Sequence, residues 1–88
     1  MARFDLRFKT SVAKDLRGIP KADVSRILRR IESLRDEPRG PGSEKLAGPA
    51  ELYRVRQGAW RIVYSIHDAQ VIVEVVKVGH RAQVYRTV

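Results

Sequence analysis

Apolar and polar positions change their period twice along this chain, and each change marks a new element. Phe4, Leu6 and Phe8 alternate with Asp5 and Arg7, the period-two pattern of a half-buried strand. Val12, Ala13 and Leu16 then share one side of a short helix that Thr10 or Ser11 can cap. Gly18-Ile19-Pro20 ends it and starts the next. Val24, Ile27, Leu28, Ile31 and Leu34 follow helical spacing, with Arg26, Arg29, Arg30 and Glu32 on the other side. Pro38, Gly40, Pro41 and Gly42 make residues 36–42 a loop.

After the loop the period returns to two. Leu52–Gln57, Trp60–His67 and Gln70–Val78 are rich in Val, Ile, Tyr and Trp and read as an antiparallel meander. Gly58-Ala59 and Asp68-Ala69 serve as two-residue connections. The first hairpin then pairs Arg56 with Arg61, Arg54 with Val63, Leu52 with Ser65, Gln57 with Trp60, Val55 with Ile62 and Tyr53 with Tyr64. The second pairs Ile66 with Val71, Tyr64 with Val73 and Ile62 with Val75. In this register one face is apolar throughout, and a slip by one residue would destroy it. The expected fold is α+β: an N-terminal strand, an antiparallel helical hairpin and a C-terminal antiparallel meander, forming one twisted sheet with the helices on one face. A single domain over residues 1–88 is expected from the length.

The other sheet face collects Arg54, Arg56, Arg61, Val63, Ser65 and Glu74. Like charges directly opposite each other in a sheet are destabilising, and Glu74 offsets only part of the repulsion. Two readings follow. The face is a solvated surface, or it is an anion site in which phosphate oxygens supply the missing countercharge. Beyond it, Gly79-His80-Arg81 reads as a break carrying an imidazole and a guanidinium, and Tyr85-Arg86 come next.

Composition narrows the partner. Eighteen Lys and Arg against ten acids give a net charge of +8 and a pI near 10.6, a field that attracts polyanions. Most of the cations are arginine, the side chain that grips phosphate with two parallel hydrogen bonds. The chain contains no cysteine, which excludes disulfides, thiolate catalysis and cysteine-based zinc sites. Its apolar runs are far shorter than the ~20 residues of a membrane span, and no signal-peptide pattern follows Met1, so a cytoplasmic protein without membrane contact is expected.

Five pieces in order resemble the RelE/ParE superfamily of bacterial and archaeal toxins, and its RelE-like branch in particular. They are Lys45-Leu46-Ala47-Gly48, Leu52-Tyr53-Arg54-Val55-Arg56, Trp60-Arg61-Ile62-Val63-Tyr64, Val78-Gly79-His80-Arg81 and Val84-Tyr85. The resemblance implies the toxic half of a type II toxin–antitoxin module with a microbial-ribonuclease-like fold. It further implies a ribosome-dependent endoribonuclease that cuts messenger RNA in the A site and arrests translation and growth. Superfamily members that poison DNA gyrase, and a chain that keeps only RNA binding, are the alternatives. No cofactor and no metal are expected.

Within that resemblance Arg54 and Arg56 occupy positions that are basic in RelE, and Arg61, Arg81 and Tyr85 match family residues. The spacing from Arg81 to Tyr85 is shorter than in RelE. RNA cleavage through its own 2′-hydroxyl needs a base, an acid and stabilisation of the phosphorane. Arg61, with Arg54 or Arg56, is the candidate for the phosphate, and loss of one such donor should cost on the order of 100-fold in rate. His80, Arg81 and Tyr85 are the candidates for proton transfer, with roles left open; imidazole is intrinsically the best matched to neutral pH. Arg26, Arg29 and Arg30 are either contacts to ribosomal RNA or ordinary solvated helix arginines. The implied partners are messenger RNA, the ribosome and an acidic antitoxin that folds on binding in a toxin–antitoxin hetero-oligomer.

Overall fold

The computed structural model describes residues 3–48 and 50–80. Strand β1 (Asp5–Phe8) is followed by helices α1 (Thr10–Arg17) and α2 (Lys21–Ser33), and then by strands β2 (Glu44–Lys45), β3 (Leu52–Gln57), β4 (Trp60–His67) and β5 (Ile72–His80). All strands belong to one five-stranded sheet in the order β1-β5-β4-β3-β2. β1 runs parallel to β5, and the other pairings are antiparallel.

The two helices cover one sheet face. Val12, Ile27, Ile31 and Leu34 pack there against Val55, Ile62, Tyr64, Val73, Val75 and Val78, all essentially buried. The α+β architecture expected from the periodicity is therefore present. Helix α1 departs from it in one detail: the capping position is Lys9, without a side-chain cap, rather than Thr10 or Ser11.

The first hairpin has the expected register at every rung, from Gln57↔Trp60 to Leu52↔Ser65. Gly58, at φ 61°, supplies the positive φ that its two-residue turn requires. The second hairpin differs. A 3₁₀ turn over Asp68–Gln70 replaces the two-residue connection, and Val71, expected on the apolar face, sits in the left-handed region at φ 57°. Ile66 consequently pairs with Val73 and Tyr64 with Val75, two residues later than expected. A bulge then shifts the ladder again, so that Ile62 faces Val78, Arg61 faces Gly79 and Trp60 faces His80. The shift beside the turn is even, which keeps Val73 and Val75 on the core side.

β2 has no counterpart in the sequence-based reading. Two residues are too few for a period to show, yet Glu44 pairs with Arg54 and Lys45 with Tyr53, while the Leu46 amide bonds the Leu52 carbonyl at 2.8 Å. Beyond β1, the free edge of β5 is covered by α1: the Asp15 carboxylate accepts from the Val78 amide (3.1 Å) and from Lys77 Nζ (3.3 Å).

Candidate RNA-binding site on the outer sheet face

Arg56 and Arg61 are partners across the β3–β4 ladder, and Arg54 lies two residues back on β3. Alternation places all three on the face away from the helices, as expected. Their exposure is unequal. Arg56 is open to solvent, whereas Arg54 and Arg61 are each only 5% exposed, and Val63 between them is fully buried. The plain solvated-surface reading therefore fails for two of the three.

A buried guanidinium needs partners. Arg54 finds one in Glu44, its cross-strand neighbour on β2, through a direct hydrogen-bonded ion pair. This acidic partner was missed at the sequence level because β2 itself was. The sequence reading assigned no element to the residues between the 36–42 loop and Leu52, where Glu44 lies.

The remaining candidates separate from this cluster. His80 pairs with Trp60, and Trp60 pairs with Gln57 on the helix-covered face, so His80 lies on the side opposite Arg54, Arg56 and Arg61. Its ring meets the Trp60 indole edge-on with centroids 5.8 Å apart, and the indole Nε1 donates to Asp23 of α2 at 3.2 Å. The expected break after Val78 is instead continued strand, which is what fixes His80 on that side. Arg81 and Tyr85 lie outside the described residues.

Arg26, Arg29 and Arg30 line one groove of α2 with Ser33 and Gln57, again on the helix side. Arg26 pairs with Asp23 at 3.4 Å. Arg30 donates to Ser33 Oγ (2.9 Å) and to the Pro41 carbonyl (3.2 Å), holding the 36–42 loop against the helix. Arg29 stands exposed.

That loop is also clamped from below, by residues that the sequence did not single out. Arg39 forms a two-point pair with Asp68 (3.0 and 2.7 Å), donates to the Tyr53 hydroxyl (3.2 Å) and lies over the Tyr53 ring. The pairing raises the Arg39 pKa and lowers that of Asp68. Tyr64, stacked on Tyr53, donates to the Pro38 carbonyl at 2.6 Å, and burial pushes its hydroxyl up to about 12. Its burial and its bond to the Pro38 carbonyl make Tyr64 a structural anchor for the loop.

Among the described residues no helix is long and apolar enough to cross a membrane, and no cluster of His, Asp and Glu could hold a metal.

Residues 6–85 match the family described as the ParE toxin of type II toxin–antitoxin systems, parDE. The chain belongs to the RelE/ParE toxin family. Similar proteins include a putative RelE-like toxin of Escherichia coli, 31% identical over 81 residues that make up 90% of this chain and 84% of that protein. Toxin RelG of Mycobacterium tuberculosis is 29% identical over 94% of this chain and 97% of its own length. In three dimensions the fold resembles the archaeal RelE–RelB complex from Pyrococcus horikoshii, with a TM-score of 0.80 at 28% identity over 92% of this chain and 98% of that one. A toxin–antitoxin complex from M. tuberculosis gives 0.81 at 26% identity, over 93% and 95%. This RelE/ParE-family chain is a RelE-like toxin of a type II toxin–antitoxin module.

Proposed function

We propose that this toxin is a ribosome-dependent endoribonuclease that cuts messenger RNA in the ribosomal A site by attack of the RNA 2′-hydroxyl, arresting translation and growth. The observation that carries this reading is the placement of Arg54, Arg56 and Arg61 on one sheet face, with two arginines directly opposed. Such a concentration of guanidinium groups, which grip phosphate with parallel hydrogen bonds, suits a cradle for phosphate. In a mostly buried setting a guanidinium acts through a lower effective dielectric, so Arg61 and Arg54 would stabilise a phosphorane more strongly than exposed cations would.

Access is graded along the cluster. Phosphate meets the exposed Arg56 first, and Arg54 and Arg61 lie mostly buried beside it. The isolated toxin should therefore cut free RNA poorly, with the ribosome orienting the message and supplying the missing alignment. Arg81 and Tyr85 are the proposed contributors to proton transfer. Placement on the far side of the sheet argues against His80 as a third.

The antitoxin is proposed to hold the α1–α2 face. Phe8 and Leu28, each 42% exposed, are the large exposed hydrophobics of the described residues, and both line one groove with Val12, Ala13 and Leu16. Lys9 also lines it, and the whole chain is strongly basic. An acidic amphipathic helix that folds on docking suits such a groove.

Mapping message ends by primer extension after brief induction tests the nuclease reading: discrete cuts within translated message are expected. The match to a ParE toxin family keeps one alternative that the superfamily resemblance implies, a gyrase poison. Uncut ribosome-bound message together with inhibited supercoiling would establish that alternative instead.

A further inference from the structure

The aromatic corner at the end of the sheet belongs to neither the arginine cluster nor the Phe8–Leu28 groove. Trp60 and His80 face each other as the last rung of the β4–β5 ladder, with ring planes 86° apart. Asp23 fixes the indole by its Nε1–H, so the ring is held by an atom that a ligand would not need. His80 is exposed, and a cleft opens beside the pair with Asp15, Ile19, Lys77 and Gly79 in its walls. The Asp15 carboxylate there is already engaged by Lys77 and the Val78 amide, so the cleft wall is not a net negative surface.

We infer that this corner is a nucleobase slot, in which one unpaired base of bound RNA stacks against the His80–Trp60 walls. Proteins hold splayed-out RNA bases by stacking them on aromatic and histidine side chains, and the exposed His80 ring, braced edge-on against Trp60, offers such a face. Lys77 adds a cation beside them. The slot also sits one rung from the phosphate cradle: Trp60↔His80 follows Arg61↔Gly79 directly, on the opposite face. A strand whose phosphates engage the arginine face can turn its next base over the end of the sheet into the corner. The inference rests on the reading of the polyanion partner as RNA, but not on cleavage or on the ribosome.

Trp60 is the chain's single tryptophan, so its fluorescence reports this corner alone. Titration of the isolated toxin with an unstructured oligoribonucleotide should quench Trp60 emission saturably. An abasic ribose-phosphate oligomer of equal length should bind through the arginines yet leave the emission nearly unchanged. His80→Ala removes an exposed side chain, so circular dichroism should match the wild type. That variant should bind the base-bearing oligomer about tenfold or more weakly, and the abasic one equally well. Equal quenching by the two oligomers, RNA binding with a silent Trp60, failure to bind RNA, or unchanged affinity in His80→Ala would each overturn the slot. Quenching by poly-glutamate but not by RNA would overturn it too, assigning the corner to a protein partner. Message cutting with a silent Trp60 would remove the slot and leave the nuclease standing; quenching without cutting would do the reverse.

Discussion

Arg56 stands directly across from Arg61 on neighbouring strands, and only Arg56 is open to solvent. Replacing the exposed Arg56 takes one of two like charges out of the rung and disturbs no buried group. Arg56→Gln should therefore leave the melting temperature unchanged or slightly raised, within about 0.5 kcal/mol. Binding of single-stranded RNA should weaken, and the slope of log K against log salt should fall by about 0.7 for the lost phosphate contact. Salt titrations by fluorescence anisotropy would measure both. An unchanged slope would place the phosphate elsewhere.

Glu44 has the opposite relationship to the cluster. It partners buried Arg54 from a two-residue strand whose own side chain is largely exposed. Glu44→Ala should cost on the order of 1 kcal/mol in chemical denaturation. Glu44→Gln, which keeps an acceptor, should cost less.

The buried hydroxyl of Tyr64 gives a pH signature. Its folded-state pKa, about 12, lies above the ordinary value of 10.0, so the neutral phenol is favoured by folding. That contribution is complete below pH 10 and is lost as pH rises towards 12. Tyr64→Phe should abolish this part of the alkaline loss of stability. It should also cost about 1–2 kcal/mol at neutral pH through the unpaired Pro38 carbonyl. Phenolate absorbance followed alongside circular dichroism separates the two effects.

Leu28 tests the antitoxin groove. Leu28→Glu replaces an exposed leucine, so the toxin should fold normally. Only the exposed 42% of Leu28 remains to be buried, a contribution of about 1 kcal/mol, and the new carboxylate repels an acidic helix, so association with the antitoxin should weaken roughly tenfold. Calorimetry on the purified pair would measure the loss.

Asp15 predicts a local effect. Asp15→Ala should speed amide hydrogen exchange at Val78 while leaving the Val73 and Val75 amides, beside β1, protected.

Legibility in the sequence followed the chemistry of the turns. A Gly-containing two-residue connection made the β3–β4 register readable rung by rung, and with it the shared face of Arg54, Arg56 and Arg61. The β4–β5 register was not readable. A valine in left-handed conformation costs ~1–2 kcal/mol locally, and no local preference announces it. The bulge that follows is set by packing rather than by a residue type. The turn's even shift keeps the faces, and the bulge's odd shift carries His80 across to the Trp60 side, which is why a histidine that looked suited to proton transfer in the primary structure stands apart from the phosphate cradle. Asp15 and Asp23 escaped notice for another reason: each acts across a long stretch of sequence, and single acids in helices carry no periodic signal.

The parallel pairing of β1 with β5 has a consequence for synthesis. The first strand to leave the ribosome finds its neighbour only when the last one has emerged, so the sheet cannot close on a partial nascent chain. The edge strand β1 therefore stays without its sheet neighbour until β5 has been made, an interval in which an antitoxin already present can meet the growing chain.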